Sequence, residues 1–454
     1  MIMRDRPVAY GIDFGTSNSQ IAVALEDRVE VVDVEKSDLA ENLPSLVYLH
    51  RNEQWSAGRE AIEQYLLTAM DRTACRHCGF VNWIGQEAVT DCDQFRQGGS
   101  CNDSRLLAGI KSSLADQRFT STHSWGFDFE PADLTAVILR RLKRAADRRY
   151  NTNVKRVVLG HPVAFVGAEG AGGPAAQRLG LDRLVRAAGS AGFEEIEVFP
   201  EPSAALEEES FSEGTILAVD FGGGTFDAAV IRAPRLPGVV AGLAGTGVGG
   251  QDFDAALFDA KVAPELGLRS RYVDGQGKEH ALPARFAAQL RRLSGLRQVL
   301  NDPVFGPVLR EFQRYKGGER LKLLEEIIYG GFAYDLYAAI EQAKIDLSGV
   351  SEASIRLERG RMIDLDIRVT RPEFENLISD HLATIRLTID QALDHAGIAA
   401  DDVDVVVRTG GSSMIPAFGR LLEEDFGSKR IQERGPFTAI ALGLARRAQE
   451  IWHA

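Results

Sequence analysis

Two segments of this chain read almost alike, and that likeness limits what it can fold into. Asp13-Phe-Gly-Thr-Ser-Asn-Ser-Gln-Ile-Ala-Val23 and Asp220-Phe-Gly-Gly-Gly-Thr-Phe-Asp-Ala-Ala-Val230 share an Asp-Phe-Gly opening and an Ala-Val close. Each follows a β-favouring run, Val8–Ile12 or Ile216–Val219, and leads into another, Ile21–Leu25 or Ala228–Ile231. Strand, glycine turn, strand predicts a β-hairpin. Either alone reads equally well as an ordinary surface turn. Two of equal length, far apart in 454 residues, predict a duplicated architecture with one hairpin per lobe.

The chain between and after them has an α/β pattern. Leu134–Tyr150 predicts an amphipathic helix with Leu134, Val137, Ile138 and Leu142 on one side, followed by a strand at Lys155–Gly160. Leu181–Ala188 predicts a helix closed by Gly189, and Glu195–Phe199 a short strand. Asp252–Ala263, Asp335–Ser348, Pro372–Ala396 and Ala439–Trp452 read as helices, and Asp404–Val407 as a buried strand stopping at Gly410-Gly411 before a helix that follows Pro416. Three stretches look added: Thr68–Arg105, the glycine loop Gly167–Pro174, and the basic segment Ser270–Gly331. The expected organisation is a first lobe at 1–210 with a cysteine-containing insertion at 68–105. A second lobe follows at 211–400 with a helical insertion at 264–331, and a closing segment at 401–454.

Composition sets outer limits. A hydrophobic fraction of 44% with 26% charged residues suits a globular protein. A net charge of −13 argues against nucleic acid as a partner, because phosphate backbones need a basic surface. It does not exclude a small phosphate ligand held by backbone N–H groups and one lysine. No secretory h-region or membrane-length apolar run is present, so the expected setting is cytoplasmic, without a membrane partner.

The two hairpin turns carry the chemistry. Small residues let backbone N–H groups approach anionic oxygens, and Gly15, Gly222, Gly223 and Gly224 permit that geometry. Asp13 and Asp220 stand at strand ends, where carboxylates can hold magnesium through water; Thr16, Ser17, Asn18 and Thr225 add polar groups. Gly410-Gly411-Ser412 forms a third turn, where an α/β sheet meets a ligand beyond the carboxyl ends of its strands. Glu341, Lys344 and Ser348 fall on one helical face, which a solvated polar stripe would also explain.

At this point a family resemblance becomes specific. Ile12-Asp-Phe-Gly-Thr-Ser-Asn-Ser19 and Asp220-Phe-Gly-Gly-Gly-Thr-Phe-Asp227 resemble the two phosphate loops of the 70-kilodalton heat-shock protein family, the DnaK-type chaperones. Gly249-Gly-Gln-Asp-Phe-Asp254, Pro200-Glu-Pro-Ser-Ala-Ala205 and Glu341-Gln-Ala-Lys-Ile-Asp-Leu-Ser348 are similar to three further motifs, in family order, so the likeness runs from Ile12 to about Ala448. The resemblance implies an α/β, two-lobed actin-like ATPase fold of duplicated ribonuclease-H-like domains with insertions, binding ATP or ADP with Mg²⁺. It implies that Asp13 and Asp220 organise the magnesium, that Glu201 lies near the attacking water, and that Thr225 faces the γ-phosphate. Lys111, in Gly109-Ile-Lys-Ser, resembles the catalytic lysine, and a surface lysine is the plainer alternative. The Glu341, Lys344 and Ser348 helix resembles the one that contacts adenosine, and Pro162 with Arg178 the pair that relays nucleotide state.

Departures are as informative. Met414 stands where the family usually has an arginine against adenine, and Phe437 where it has an aspartate. The family's peptide-binding domain is not expected here, which leaves a weak ATPase with unidentified protein partners. A small-molecule kinase of the same superfamily and a non-catalytic nucleotide-gated module are the rival readings. All four cysteines, Cys75, Cys78, Cys92 and Cys101, fall in the first insertion. Cys75-x₂-Cys78 is half of a Zn²⁺ site, whereas the second spacing is not usual, and reduced, unrelated thiols are the plainer reading.

Overall fold

The computed structural model describes residues 6–35, 40–49, 55–71, 82–84, 87–89, 105–124, 127–166, 173–206, 214–233, 239–359, 363–433 and 438–452. The four cysteines, Phe437 and most of the Gly167–Pro174 loop lie outside the described residues. No helix among the described residues is long and apolar enough to cross a membrane.

Two sheets repeat one topology. In the first, Ala9–Phe14, Asn18–Ala24 and Val29–Val31 form an antiparallel meander, and Arg156–His161 and Glu195–Pro200 add in parallel on the side of Ala9–Phe14. In the second, Gly214–Phe221, Phe226–Ala233 and Val239–Thr246 form the meander, and Val405–Thr409 and Ile431–Glu433 add in parallel beside Gly214–Phe221. The strand order is third, second, first, fourth, fifth in both. This is the duplicated, actin-like arrangement, and it puts each Asp-Phe-Gly segment at the end of the central strand of its sheet.

The first sheet shows how local pattern becomes packing. Tyr10 and Ile12 point to the face covered by Leu134, Ile138 and Leu142 of the helix Pro131–Tyr150, whose first turn is closed by Asp133 accepting from the Glu130 N–H at 2.9 Å. Burying such side chains contributes roughly 1.5–3 kcal/mol each. The alternate residues Ala9 and Gly11 are small and meet the helix Ala439–Trp452 through Ile440, Leu444 and Ala445. A Cβ at Gly11 would lie 2.2 Å from the Ala445 nitrogen, so only glycine admits the helix this closely.

Two compact units emerge, one of Met1–Ala61, Leu106–Gly250 and Asp380–Ala454, the other of Ile62–Arg105 and Gln251–Ser379. They cut the chain differently from the expected boundaries at 210 and 400, because both sheets fall in the first unit. The expected closing segment 401–454 splits as well: its strands complete the second sheet, and its helix packs on the first. Among the described residues the second unit contains three hairpins, Asn82–Ile84 with Glu87–Val89, Arg271–Val273 with Glu279–Ala281 and Glu352–Arg359 with Ile363–Thr370, together with the helix Ala333–Gly349. Within it, the expected helical insertion at 264–331 includes short helices at Ala284–Leu290 and Leu296–Asn301. Pro372–Ala396 divides at Ile378 into Arg371–Leu377 and Ser379–Ala396. Asp252–Ala263 contains a π-helical turn at Phe258–Val262.

Candidate nucleotide and metal site

The two aspartate-led turns meet. A Cβ built on Gly223 would lie 2.3 Å from Ser17 Oγ, and one on Gly224 would lie 2.4 Å from Thr16 Oγ1. The first turn is gripped from behind, where Ser45 Oγ donates to the Gly15 carbonyl at 2.7 Å and the Ser45 N–H to the Ser17 carbonyl at 2.8 Å. The second is closed by the Gly222 N–H donating to the Thr225 carbonyl at 3.1 Å. The Gly250 N–H and Ser412 Oγ both reach the Gly222 carbonyl, at 3.0 and 2.9 Å. Among the described residues, the N–H groups of Thr16, Ser17, Gly223 and Gly224 donate to no protein acceptor. Four undonated amides on two facing turns make an anion-binding concavity.

Gly410 opens the third turn with φ +83°, and its Cβ would fall 2.3 Å from the Phe221 carbonyl oxygen and 2.7 Å from Asp220 Oδ1. The neighbouring Thr409 Oγ1 donates to Asp220 Oδ1 at 3.1 Å. The Gly410-Gly411-Ser412 turn therefore seats Asp220 and, through the Ser412 hydroxyl, braces the second turn.

Behind the turns lies a buried charged cluster. Glu201 begins the short helix Glu201–Ala204 after Pro200, and Gly160 on the neighbouring strand leaves room for it, since a Cβ there would stand 3.0 Å from Glu201 Cγ. Lys111, in the short helix Ile110–Ser113 that Gly109 enters at φ 67°, donates to both Glu201 oxygens at 2.7 and 2.9 Å. Its side chain is 6% exposed, which rules out the surface-lysine reading. Carboxylate oxygens of Glu201, Asp220 and Asp227 come within 4.8 Å of one another, all buried. Asp13 falls outside that triad but feels Glu201, Lys111 and Asp220 electrostatically.

Four carboxylates thus face one ammonium. Burial, then Glu201, pushes the Asp220 carboxyl up to about 6, against the pull of Lys111. The same causes hold Asp13 and Asp227 well above the usual carboxylate range. Burial works against the Lys111 ammonium, but Glu201 and Asp13 outweigh it and hold the group raised. Asp227 Oδ1 accepts the Val163 N–H at 2.8 Å, whereas its buried Oδ2 has no hydrogen-bond partner. An excess of buried negative charge and an orphaned carboxylate oxygen fit a hard divalent cation with oxygen ligands. Sequence reasoning placed Asp13 and Asp220 here and missed Asp227, although it closes the Gly-Gly-Gly-Thr-Phe-Asp run.

The structure brings together Asp13, Gly15, Thr16, Ser17, Lys111, Glu201, Asp220, Gly222, Gly223, Gly224, Thr225, Gly410, Gly411 and Ser412 within the first unit; Asn18 is there too, but exposed. Glu341, Lys344 and Ser348 belong to the second unit. There Glu341 is exposed, and Lys344 is buried with its ammonium 2.9 Å from the Asp254 carboxylate.

Comparison with known proteins shows the family. The model of the family described as "Hsp70 protein" matches residues 9–282 and 332–451. Similar curated relatives include the chaperone protein DnaK of Thermosipho melanesiensis, 26% identical over 451 residues, covering 96% of this chain and 58% of the relative. DnaK of Deinococcus deserti is 26% identical, covering 97% and 59%. DnaK of Deinococcus radiodurans is 27% identical, covering 97% and 59%. The chain spans just under three fifths of the length of these relatives.

Proposed function

Because this chain belongs to the Hsp70 family, we propose that it binds magnesium–ATP between its two glycine turns and hydrolyses it slowly. The observation that carries the reading is the pairing of undonated amides on Thr16, Ser17, Gly223 and Gly224 with a buried carboxylate cluster directly behind them.

Each residue then has a physical task. The four amides orient the triphosphate, since phosphoryl transfer depends on positioning and charge neutralisation more than on covalent chemistry. Asp220, Asp227 and Asp13 would hold the metal, which when bound neutralises charge on phosphate oxygens. Glu201 would orient the attacking water and take up its proton. Lys111 would share its ammonium between Glu201 and the phosphoryl oxygens, and Thr225 would face the γ-phosphate. Protein partners that read the nucleotide state belong to the same proposal.

The test is calorimetric titration with ATP, ADP and other nucleoside triphosphates, with and without magnesium, paired with phosphate-release assays. Magnesium-dependent binding of ATP and ADP with release of free phosphate is the expected result. Absence of binding, or phosphate transfer to a small molecule instead of to water, would overturn the reading.

A further inference from the structure

The helix Gly173–Ala191 reaches two segments that flank the charged cluster without contributing a residue to it. On one side, Gln177 Oε1 accepts the Phe165 N–H at 2.9 Å and Gln177 Nε2 donates to the Pro162 carbonyl at 3.4 Å. Between those two residues, the Val163 and Ala164 N–H groups are held by Asp227 Oδ1 at 2.8 and 3.4 Å. On the other side, Arg183 reaches the segment that follows Lys111. Its Nη1 donates to the carbonyls of Ser113, Leu114 and Asp116 at 3.1, 3.0 and 3.1 Å, and its Nη2 to that of Phe119 at 3.1 Å.

Arg183 is 9% exposed, and among the described residues no ion pair is recorded for it. Burying a guanidinium against carbonyl dipoles alone is costly, and an apolar side chain would pack such a helix face more cheaply. What the arginine supplies is a fork of donors that ties one loop at four points. That loop leaves the four-residue helix bearing Lys111, which is too short to hold its own orientation. Gly180 seats the same helix against Phe165, where a Cβ would lie 2.7 Å from the ring.

We infer that Arg183 is a positioning residue for Lys111, and that the Gly173–Ala191 helix is a brace fixing the distance between that lysine and the Asp227 side of the carboxylate cluster. The glycine turns hold phosphate independently of this brace. Loosening it therefore lowers turnover while leaving nucleotide affinity alone.

The experiment has two arms. The kinetic arm rests on the ATP-hydrolysing reading above and compares wild type, Arg183→Ala, Arg183→Lys, Lys111→Ala and the Lys111→Ala/Arg183→Ala double variant. Arg183→Ala lowers kcat about tenfold with KM for ATP changed by less than about twofold, and Arg183→Lys recovers about threefold of the loss. In the Lys111→Ala background the same substitution changes kcat by less than about twofold, because residues acting through one group are non-additive. A full tenfold loss persisting without Lys111, or an unchanged kcat in Arg183→Ala, overturns the inference.

The second arm uses nucleotide-free protein labelled with acetic anhydride and read by mass spectrometry. Lys111 acetylates about fivefold faster in Arg183→Ala, with Lys429 unchanged as an internal control, since a released ammonium gains access to reagent. Equal labelling in the two proteins overturns the inference even if wild type releases no phosphate, an outcome that would sink only the functional reading. If Arg183→Ala does not fold, Arg183→Lys carries both arms: its lysine reaches fewer carbonyls, and wild-type behaviour in both readouts overturns the inference.

Discussion

Lys111 Nζ sits 2.7 Å from one carboxylate oxygen of Glu201 and 2.9 Å from the other, with both side chains almost wholly buried. The pair joins a residue from the short helix Ile110–Ser113 to the first residue of the helix that follows the Glu195–Pro200 strand of the first sheet. Lys111→Ala lowers phosphate release by about a hundredfold, the usual cost of removing a charge-stabilising group. It also leaves Glu201 unpaired, a loss on the order of 3 kcal/mol that denaturant unfolding would register. Full turnover in this variant would remove Lys111 from the site.

Asp227→Asn tests the metal reading. The amide oxygen can still accept the Val163 N–H, so the turn at Pro162–Phe165 stays in place, while the buried negative charge is gone. Magnesium-dependent ATP affinity falls by about tenfold and thermal stability without magnesium holds or rises, because a like charge leaves a crowded carboxylate cluster. Unchanged magnesium dependence would mean that Asp227 does not hold the cation.

Acid should act in a defined window. Asp220 has its carboxyl raised to about 6, chiefly by burial and Glu201, with Asp13, Asp227 and Lys111 also facing the cluster. A raised carboxyl favours folding below its unfolded pKa near 4, and that contribution is lost as pH climbs through about 6. Divalent cations need the ionised form, so the magnesium-induced rise in melting temperature shrinks below pH 6. A melting temperature measured with and without magnesium from pH 5 to 8 checks both signs. A magnesium effect that is flat across that range would contradict the assignment.

Gly410→Ala should damage the site through the backbone. At φ +83° a side chain is strained, and the added Cβ meets the Phe221 carbonyl at 2.3 Å and Asp220 Oδ1 at 2.7 Å. The expected cost is about 1–3 kcal/mol of stability, with weakened ATP binding because Asp220 is displaced. Calorimetry and thermal unfolding on the same preparation measure both effects. Wild-type ATP affinity would show that Asp220 does not depend on this turn.

Much of this was legible from local pattern. The two hairpins, the Arg156–His161 strand and the helix beginning at Pro131 follow from periodicity and turn residues, whereas the facing of Gly223 on Ser17 depends on how two separate sheets are placed. The Glu352–Arg359 and Ile363–Thr370 hairpin was passed over, although Ala353, Ile355 and Leu357 alternate as a half-buried strand should. Asp227 was readable from its motif but lacked a signal separating it from Asp220. Arg183 could not be found from sequence, because its partners are backbone carbonyls of a distant loop, which carry no residue identity. The inner division of Pro372–Ala396 was equally hidden, since both helices continue one apolar periodicity.

The helix Ala439–Trp452 has a consequence for how the molecule comes into being. It covers Gly11 on Ala9–Phe14, the first strand among the described residues, so that face of the strand stays bare until nearly the whole described chain has been made. At about 5–20 residues per second that wait is on the order of tens of seconds. This member of the Hsp70 family therefore spends its own synthesis with an exposed apolar surface, and its yield in cells should depend on what shields that surface during translation.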